Sequence, residues 1–245
     1  IYQLHNPAFC PRPGDESGLY DAALKAREQG KIRHIGITNH RIAVAEEAID
    51  SGLYETLQFP FSYLASEGEI ELTKKCREAD MGFIAMKALS GGLIQNSAAA
   101  YAYIAQPQFD NVVPIWGVQK ESELDEFLSY QDCPPELDAE LAAQIEKDKK
   151  ELAGDFCRGC GYCMPCPAGI KINNCARMSL LLRRAPADGW LSAEWQKEMA
   201  RIEDCLHCGQ CKSRCPYGLD TPELLARNLA DYRSFLQDRE DRESR

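Results

Sequence analysis

Short apolar runs alternate with amphipathic stretches along the first 130 residues. Ile1–Leu4 predicts a strand, and Gly18–Gln29 a helix with Leu19, Ala22, Ala23 and Ala26 on one face and Gly30 as its stop. A strand at Ile32–Ile37 follows, then a helix over Ala43–Ile49 closed by Gly52, and a strand at Glu55–Phe59. The alternation continues with a helix at Glu67–Ala79, a strand at Gly82–Met86, a helix at Ser97–Ile104 and a strand at Val112–Trp116. A last helix starts after Lys120. Five strand–helix units in series predict a parallel sheet with covering helices.

Beyond Pro134-Pro135 the pattern is helical. Glu136–Leu152 carries Leu137, Leu141 and Ile145 at spacings of four, with Gly154 behind it. Cys175–Arg183 and Leu191–Ile202 read as helices, the second with Trp195, Met199 and Ile202 on one face. The stretch D-T-P-E-L-L opens another helix, capped by Asp220 or Thr221 with Pro222 in the first turn. The charge-dense tail Gln237–Arg245 is expected to fray. The chain thus divides into an α/β region at 1–132, a linker helix at 133–156 and a mostly helical region at 157–245.

Composition narrows the function. The net charge is −10, from 28 Lys and Arg against 38 Asp and Glu. Nucleic-acid binding through the phosphate backbone is excluded as a main role, since it needs clustered Lys and Arg. No apolar run approaches the roughly 18–20 residues of a membrane span, and no basic-then-apolar leader precedes the first strand. The chain starts at Ile1, already inside an apolar segment, so either the chain is processed or an N-terminal portion is absent.

Twelve cysteines change the picture more. Eight fall in two runs, C-R-G-C-G-Y-C-M-P-C-P at Cys157, Cys160, Cys163 and Cys166, and C-L-H-C-G-Q-C-K-S-R-C-P at Cys205, Cys208, Cys211 and Cys215. Cysteines two residues apart are too close to bridge within a run. They hold a metal centre through thiolates, which points to a reducing, cytoplasmic setting. Glycines beside them (Gly159, Gly161, Gly209) let the chain turn and leave N–H groups free to point at sulfide. The second run matches the two-cluster pattern C-x2-C-x2-C-x3-C-P, in which the fourth cysteine serves the other cluster. The first run is one residue shorter before Cys166.

Two [4Fe–4S] clusters are therefore predicted: one on Cys157, Cys160, Cys163 and Cys215, the other on Cys205, Cys208, Cys211 and Cys166. Cys175 is an alternative ligand, read here as structural. Zinc usually joins two C-x2-C pairs and would waste the third cysteine of each run. Cys10, Cys76 and Cys133 stand alone, and Cys76 reads as core packing. Glu67, Glu69 and Glu71 read as a solvated helix face.

The strand ends resemble the aldo/keto reductases, (β/α)8 barrels that pass hydride between a nicotinamide and a carbonyl. Y-Q-L-H-N-P resembles their fourth strand, which places the catalytic histidine at His5. G-K-I-R-H-I-G-I-T-N-H resembles the fifth, with Thr38 and Asn39 as the carboxamide-binding pair. L-Q-F-P-F-S-Y-L resembles the sixth, with Gln58, and F-I-A-M-K-A-L-S-G-G-L the seventh, whose turn holds Leu89 and Gly91. P-I-W-G-V-Q-K resembles the eighth, with Gly117, Gln119 and Lys120 at the cofactor. The string G-C-G-Y-C-M-P-C-P is similar to the family's iron–sulfur branch.

The resemblance implies NAD(P)(H), a small carbonyl or alcohol substrate, and a partial barrel (strands four to eight) ahead of the helical cluster domain. Glu123, where NADP-preferring relatives place a basic residue, favours NAD(H). The family's Asp, Tyr and Lys lie on strands before the histidine, and only four residues precede His5. Five parallel strands do not close an eight-stranded barrel.

The leading expectation is an iron–sulfur oxidoreductase that couples nicotinamide-dependent chemistry to electron transfer with a ferredoxin- or flavin-type partner. The alternatives are a non-catalytic electron-transfer module on a barrel scaffold, and clusters that only staple the fold. Neither the substrate nor the oligomeric state is legible.

Overall fold

The computed structural model of the chain describes residues 1–152, 156–184 and 187–243. It divides into two compact units, one of residues 1–90 and 96–151, the other of residues 91–95 and 152–245.

The first unit is built on a parallel sheet in chain order: β1 (Tyr2–His5), β2 (Ile35–Thr38), β3 (Thr56–Pro60), β4 (Gly82–Met86) and β5 (Val112–Pro114). Register sets what each face carries. Leu4, Ile37, Leu57, Phe83 and Val112 stand opposite one another across all five strands, and all are buried. Because side chains alternate along a strand, the neighbouring positions point the other way. There His5 stands opposite Thr38, and Thr38 opposite Gln58. One row of the sheet thus builds core while the next carries polar groups.

Helices α1 (Leu19–Glu28), α2 (Ile42–Ser51), α3 (Glu67–Glu78), α4 (Ser97–Ile104), α5 (Glu121–Asp132) and α6 (Ala139–Glu151) complete this unit. Strand β4 and helix α4 have the bounds the sequence pattern predicts, and the other strands agree within three residues. Two details differ. Glu69 is buried instead of solvated, because Ser66 and Glu69 close a capping box at the start of α3. The Ser66 N–H donates to Glu69 Oε2 at 2.7 Å, and the Glu69 N–H to Ser66 Oγ at 3.4 Å. Helix α6 starts at Ala139 instead of Glu136, because the Asp138 carboxylate accepts the Leu141 N–H at 2.8 Å and acts as its cap. Leu137 therefore lies outside the helix and is exposed, while Ile145 is buried. The expected stop at Gly154 lies outside the described residues.

The second unit is helical: α7 (Ile172–Cys175), α8 (Met178–Arg184), α9 (Ala193–Ala200), α10 (Gln210–Ser213) and α11 (Thr221–Glu243). The helix predicted over Cys175–Arg183 is broken after Cys175, which ends α7 instead of opening a longer helix. The break is held from α11, where Asn228 Nδ2 donates to Ala176 O at 3.1 Å and the Ser179 N–H donates to Asn228 Oδ1 at 2.8 Å. The helix predicted over Leu191–Ile202 is a shorter α9 flanked by two 3-10 turns. Far from fraying, the tail stays helical to Glu243, the last described residue. The inner face of α11 buries Leu224, Leu225, Leu229 and Tyr232, and Arg239 pairs with Asp188 at 2.7 Å near the helix's far end.

Gly36 tests the sheet. A Cβ there would sit 2.1 Å from Thr56 Oγ1 and 3.1 Å from the Thr56 carbonyl, so no side chain fits without displacing β3. We expect Gly36→Ala to cost about 1–3 kcal/mol, as overpacking does, measured as a fall in the urea midpoint. Adding Thr56→Ala should recover part of that loss; an unchanged midpoint for Gly36→Ala would contradict the packing.

Candidate metal centre

The eight run cysteines converge from both runs onto two cavities in the second unit. The first is lined by Cys157, Cys160, Cys163 and Cys215, with Arg158, Ile172, Pro216 and Tyr217 among its other walls. The second is lined by Cys166, Cys205, Cys208 and Cys211, with Ile170, Leu206 and Leu225 among its walls. Cys163 and Ile172 line both cavities and form the wall between them. Without Cys163 the first cavity would hold three thiols, whereas the second has four besides it. The two linings exchange Cys166 and Cys215 between the runs, and Cys163 stands in both.

Local chain geometry explains how the thiols turn inward. Gly159, Gly161 and Gly209 all have φ between 66° and 82°, a region that glycine enters without penalty. The Gly159 N–H thereby comes to 3.4 Å from Cys157 Sγ, as a hydrogen bond to a ligand sulfur requires. Beneath both cavities lies one apolar core containing Ile170, Ile172, Met178, Leu181, Met199 and Leu225, against which most of the run cysteines pack.

The cavities fit iron–sulfur clusters. Each offers four free thiols on a mostly apolar wall, and soft thiolates in such surroundings suit a cluster. Among the described residues no three His, Cys, Asp or Glu side chains are arranged to hold a single metal ion. Burial pushes the Cys163 thiol up to about 12, and the Cys157 and Cys160 thiolates beside it act in the same direction. Burial also raises Cys157, opposed by the Gly159 N–H, and raises Cys211. Raised thiols at Cys157, Cys163 and Cys211 must give up their protons to bind a cluster, so loading is favoured as pH rises. Cys175 lines neither cavity; it is buried in the apolar core with its Sγ 3.9 Å from the Glu198 carbonyl, and burial lifts its thiol to about 12.

The strand-end residues lie in the first unit, apart from Gly91, which belongs to the second. His5 is exposed at the end of β1, Thr38 is buried and Gln58 is half-buried, with its Nε2 3.7 Å from Met86 Sδ. Asn39 is fully buried. Its Nδ2 donates to the Pro7 carbonyl at 2.8 Å, and its Oδ1 accepts the N–H groups of His40 and Arg41, both at 2.9 Å. Leu89 is half-buried, and Gly117, Gln119 and Lys120 are exposed. The Glu123 carboxylate accepts the Gln119 N–H at 2.7 Å and the Lys120 N–H at 3.2 Å, and these bonds hold its pKa down. Its charge is thus spent partly on the start of α5.

Comparison with known families gives the two units separate assignments. Residues 156–220 match the 4Fe-4S dicluster domain, and residues 1–100 match the aldo/keto reductase family. The chain carries an aldo/keto reductase domain and a 4Fe-4S dicluster domain. The 4Fe-4S dicluster match falls within the second unit. Among solved structures, the chain is similar to a candidate 2,5-diketo-D-gluconic acid reductase B, at 21% identity over 59% of this chain and 54% of that one, with a TM-score of 0.44. It is also similar to a thermostable aldo-keto reductase in complex with epalrestat, at 18% identity over 60% and 58%, with a TM-score of 0.41. The chain spans little more than half the length of either. No curated protein matches it. No helix among the described residues is long and apolar enough to cross a membrane.

If the ligand sets are those above, Cys215→Ala and Cys166→Ala each remove one cluster. Iron in the anaerobically purified protein should fall from about eight to about four per chain in either variant. Cys175→Ala should leave it at about eight. A drop with Cys175→Ala, or none with Cys215→Ala, would contradict the assignment.

Proposed function

We propose that this chain is part of an iron–sulfur oxidoreductase of the aldo/keto reductase type, coupling nicotinamide-dependent carbonyl or alcohol chemistry to electron transfer. The observation that carries this reading is the pair of four-cysteine cavities with a shared wall, in one chain with an aldo/keto reductase domain. When bound, a nicotinamide supplies hydride and the two [4Fe–4S] clusters supply single electrons.

The chain's own residues take the following parts. His5, at an exposed strand end, would donate a hydrogen bond to the substrate carbonyl and orient it. Thr38 and Gln58, in register beside it, would bind a carboxamide, with the remaining Asn39 Nδ2 hydrogen as a further donor. The backbone around Leu89 and Gly91, and around Gly117, Gln119 and Lys120, would line the rest of the cofactor path. Because Glu123 is held by two backbone N–H groups, it repels a 2′-phosphate less than a free carboxylate would. The preference for NAD(H) is correspondingly mild. The eight ligand thiols would hold the clusters in a reducing, cytoplasmic setting. The shared wall at Cys163 and Ile172 would let electrons pass between clusters toward a ferredoxin- or flavin-type partner. A nicotinamide moves two electrons at once and a cluster one, so a flavin-type carrier, able to take two and pass on one, would have to stand between them.

The burial of Asn39 and its engagement with Pro7 and the start of α2 favour a second reading, in which the sheet is a docking scaffold and the chain a non-catalytic electron-transfer module.

Anaerobic analysis separates these readings from a purely structural role. About eight iron and eight acid-labile sulfide per chain are expected, with bleaching of the visible absorption on adding dithionite. Clusters that accept no electron at any accessible potential would leave only the structural role, and zinc without sulfide would contradict both clusters. Bleaching by NADH as well as by dithionite would support the coupled enzyme over the electron-transfer module.

A further inference from the structure

We infer that Arg177 sets the reduction potential of the first cluster, the one held by Cys157, Cys160, Cys163 and Cys215. The inference rests on the cluster reading above and concerns a residue outside the ligand sets. Arg177 lies in the break between α7 and α8, and its guanidinium is packed between two glycines of different segments. A Cβ on Gly91 would come within 2.7 Å of Arg177 Nη1, and a Cβ on Gly159 within 2.8 Å of Arg177 Cζ. Both glycines also have positive φ, 66° in each case. Neither position admits a side chain while the guanidinium stays where it is.

One of its N–H groups is accounted for, donating from Nη1 to the Gly91 carbonyl at 2.9 Å. Its Nε is buried with no hydrogen-bond partner. Burial lowers the Arg177 pKa, and the Cys157 thiolate opposes that shift, so the charge and the sulfur act on each other. Arginine nevertheless stays charged under all ordinary conditions. The chain has therefore placed a fixed, incompletely solvated positive charge against the loop that carries Cys157 and Cys160. No carboxylate is paired with it among the described ion pairs.

A cluster gains one negative charge when it accepts an electron. A buried cation nearby stabilises that form, and low-dielectric surroundings strengthen the effect. Arg177 also touches Gly159, whose N–H is the donor to Cys157 Sγ, so it holds in place a second feature that favours the reduced state. Arg158 lines the same cavity and stacks on Tyr217 at 4.4 Å, so it remains when Arg177 is replaced. Among the described residues, no lysine or arginine lines the second cavity. Replacing Arg177 should therefore act on one cluster and spare the other.

The test is protein-film voltammetry of the anaerobically loaded full chain, as wild type, Arg177→Met and Arg177→Lys, with iron and sulfide counted in each. Wild type should show two one-electron waves. In Arg177→Met one wave should move to lower potential by at least a tenfold change in that cluster's reduction equilibrium, about 59 mV for one electron, while the other stays. Arg177→Lys, which keeps the charge, should move it less. Two unmoved waves in a fully loaded Arg177→Met protein would overturn the inference. If Arg177→Met fails to load the first cluster, the lysine variant decides: retention of both clusters with a small shift upholds the role of the charge, and loss of the cluster assigns Arg177 to packing alone. A wild type that loads only about four iron and four sulfide per chain would contradict the two-cluster reading itself, and the inference with it.

Discussion

Four thiolates meet around one iron–sulfur cube only if separate pieces of chain are brought to the same point, and the second unit is organised by that requirement. Three cysteines of each run sit two residues apart and can wrap one cavity locally. A further cysteine lining each cavity comes from the other run. Closing such a loop costs entropy that rises only slowly with its length, and cluster binding contributes the folding free energy that offsets it. The helices between the runs and α11 together supply the side chains of the single core on which both cavities rest.

The first unit obeys a different constraint. Parallel pairing in chain order fixes register, and register decides which residues share a row. Leu4, Ile37, Leu57, Phe83 and Val112 become core together, and His5, Thr38 and Gln58 become neighbours on the opposite parity. A one-residue slip of any strand would exchange the two sets. The polar row is thus tied to the hydrophobic one, and the tight approach at Gly36 fixes both.

Much of this was legible in the chain because it depends on local spacing. Strand β4 and helix α4 follow from periodicity, and the C-x2-C repeats group eight cysteines into two runs. What escaped depends on contacts distant in sequence or on single caps. Asp138 shortens α6 and leaves Leu137 outside it, and Ser66 draws Glu69 inward from an apparently solvated face. Asn228, far along the chain, holds the break that separates Cys175 from the helix after it. The length of α11 was hidden because its charged tail reads as a fraying end until its buried stripe and the Arg239–Asp188 pair are placed. Nothing in the local sequence distinguishes Arg177 from the arginines that follow it; its role depends on two glycines brought to it from elsewhere.

The central claim is that two clusters lie side by side, separated by the wall that Cys163 and Ile172 form. The most direct measurement is low-temperature EPR of the fully reduced protein. Two clusters this close should give a spectrum broadened and split by spin–spin interaction, resolving into a simple signal when only one cluster is reduced. Two sharp, independent signals that sum without interaction at full reduction would contradict the arrangement.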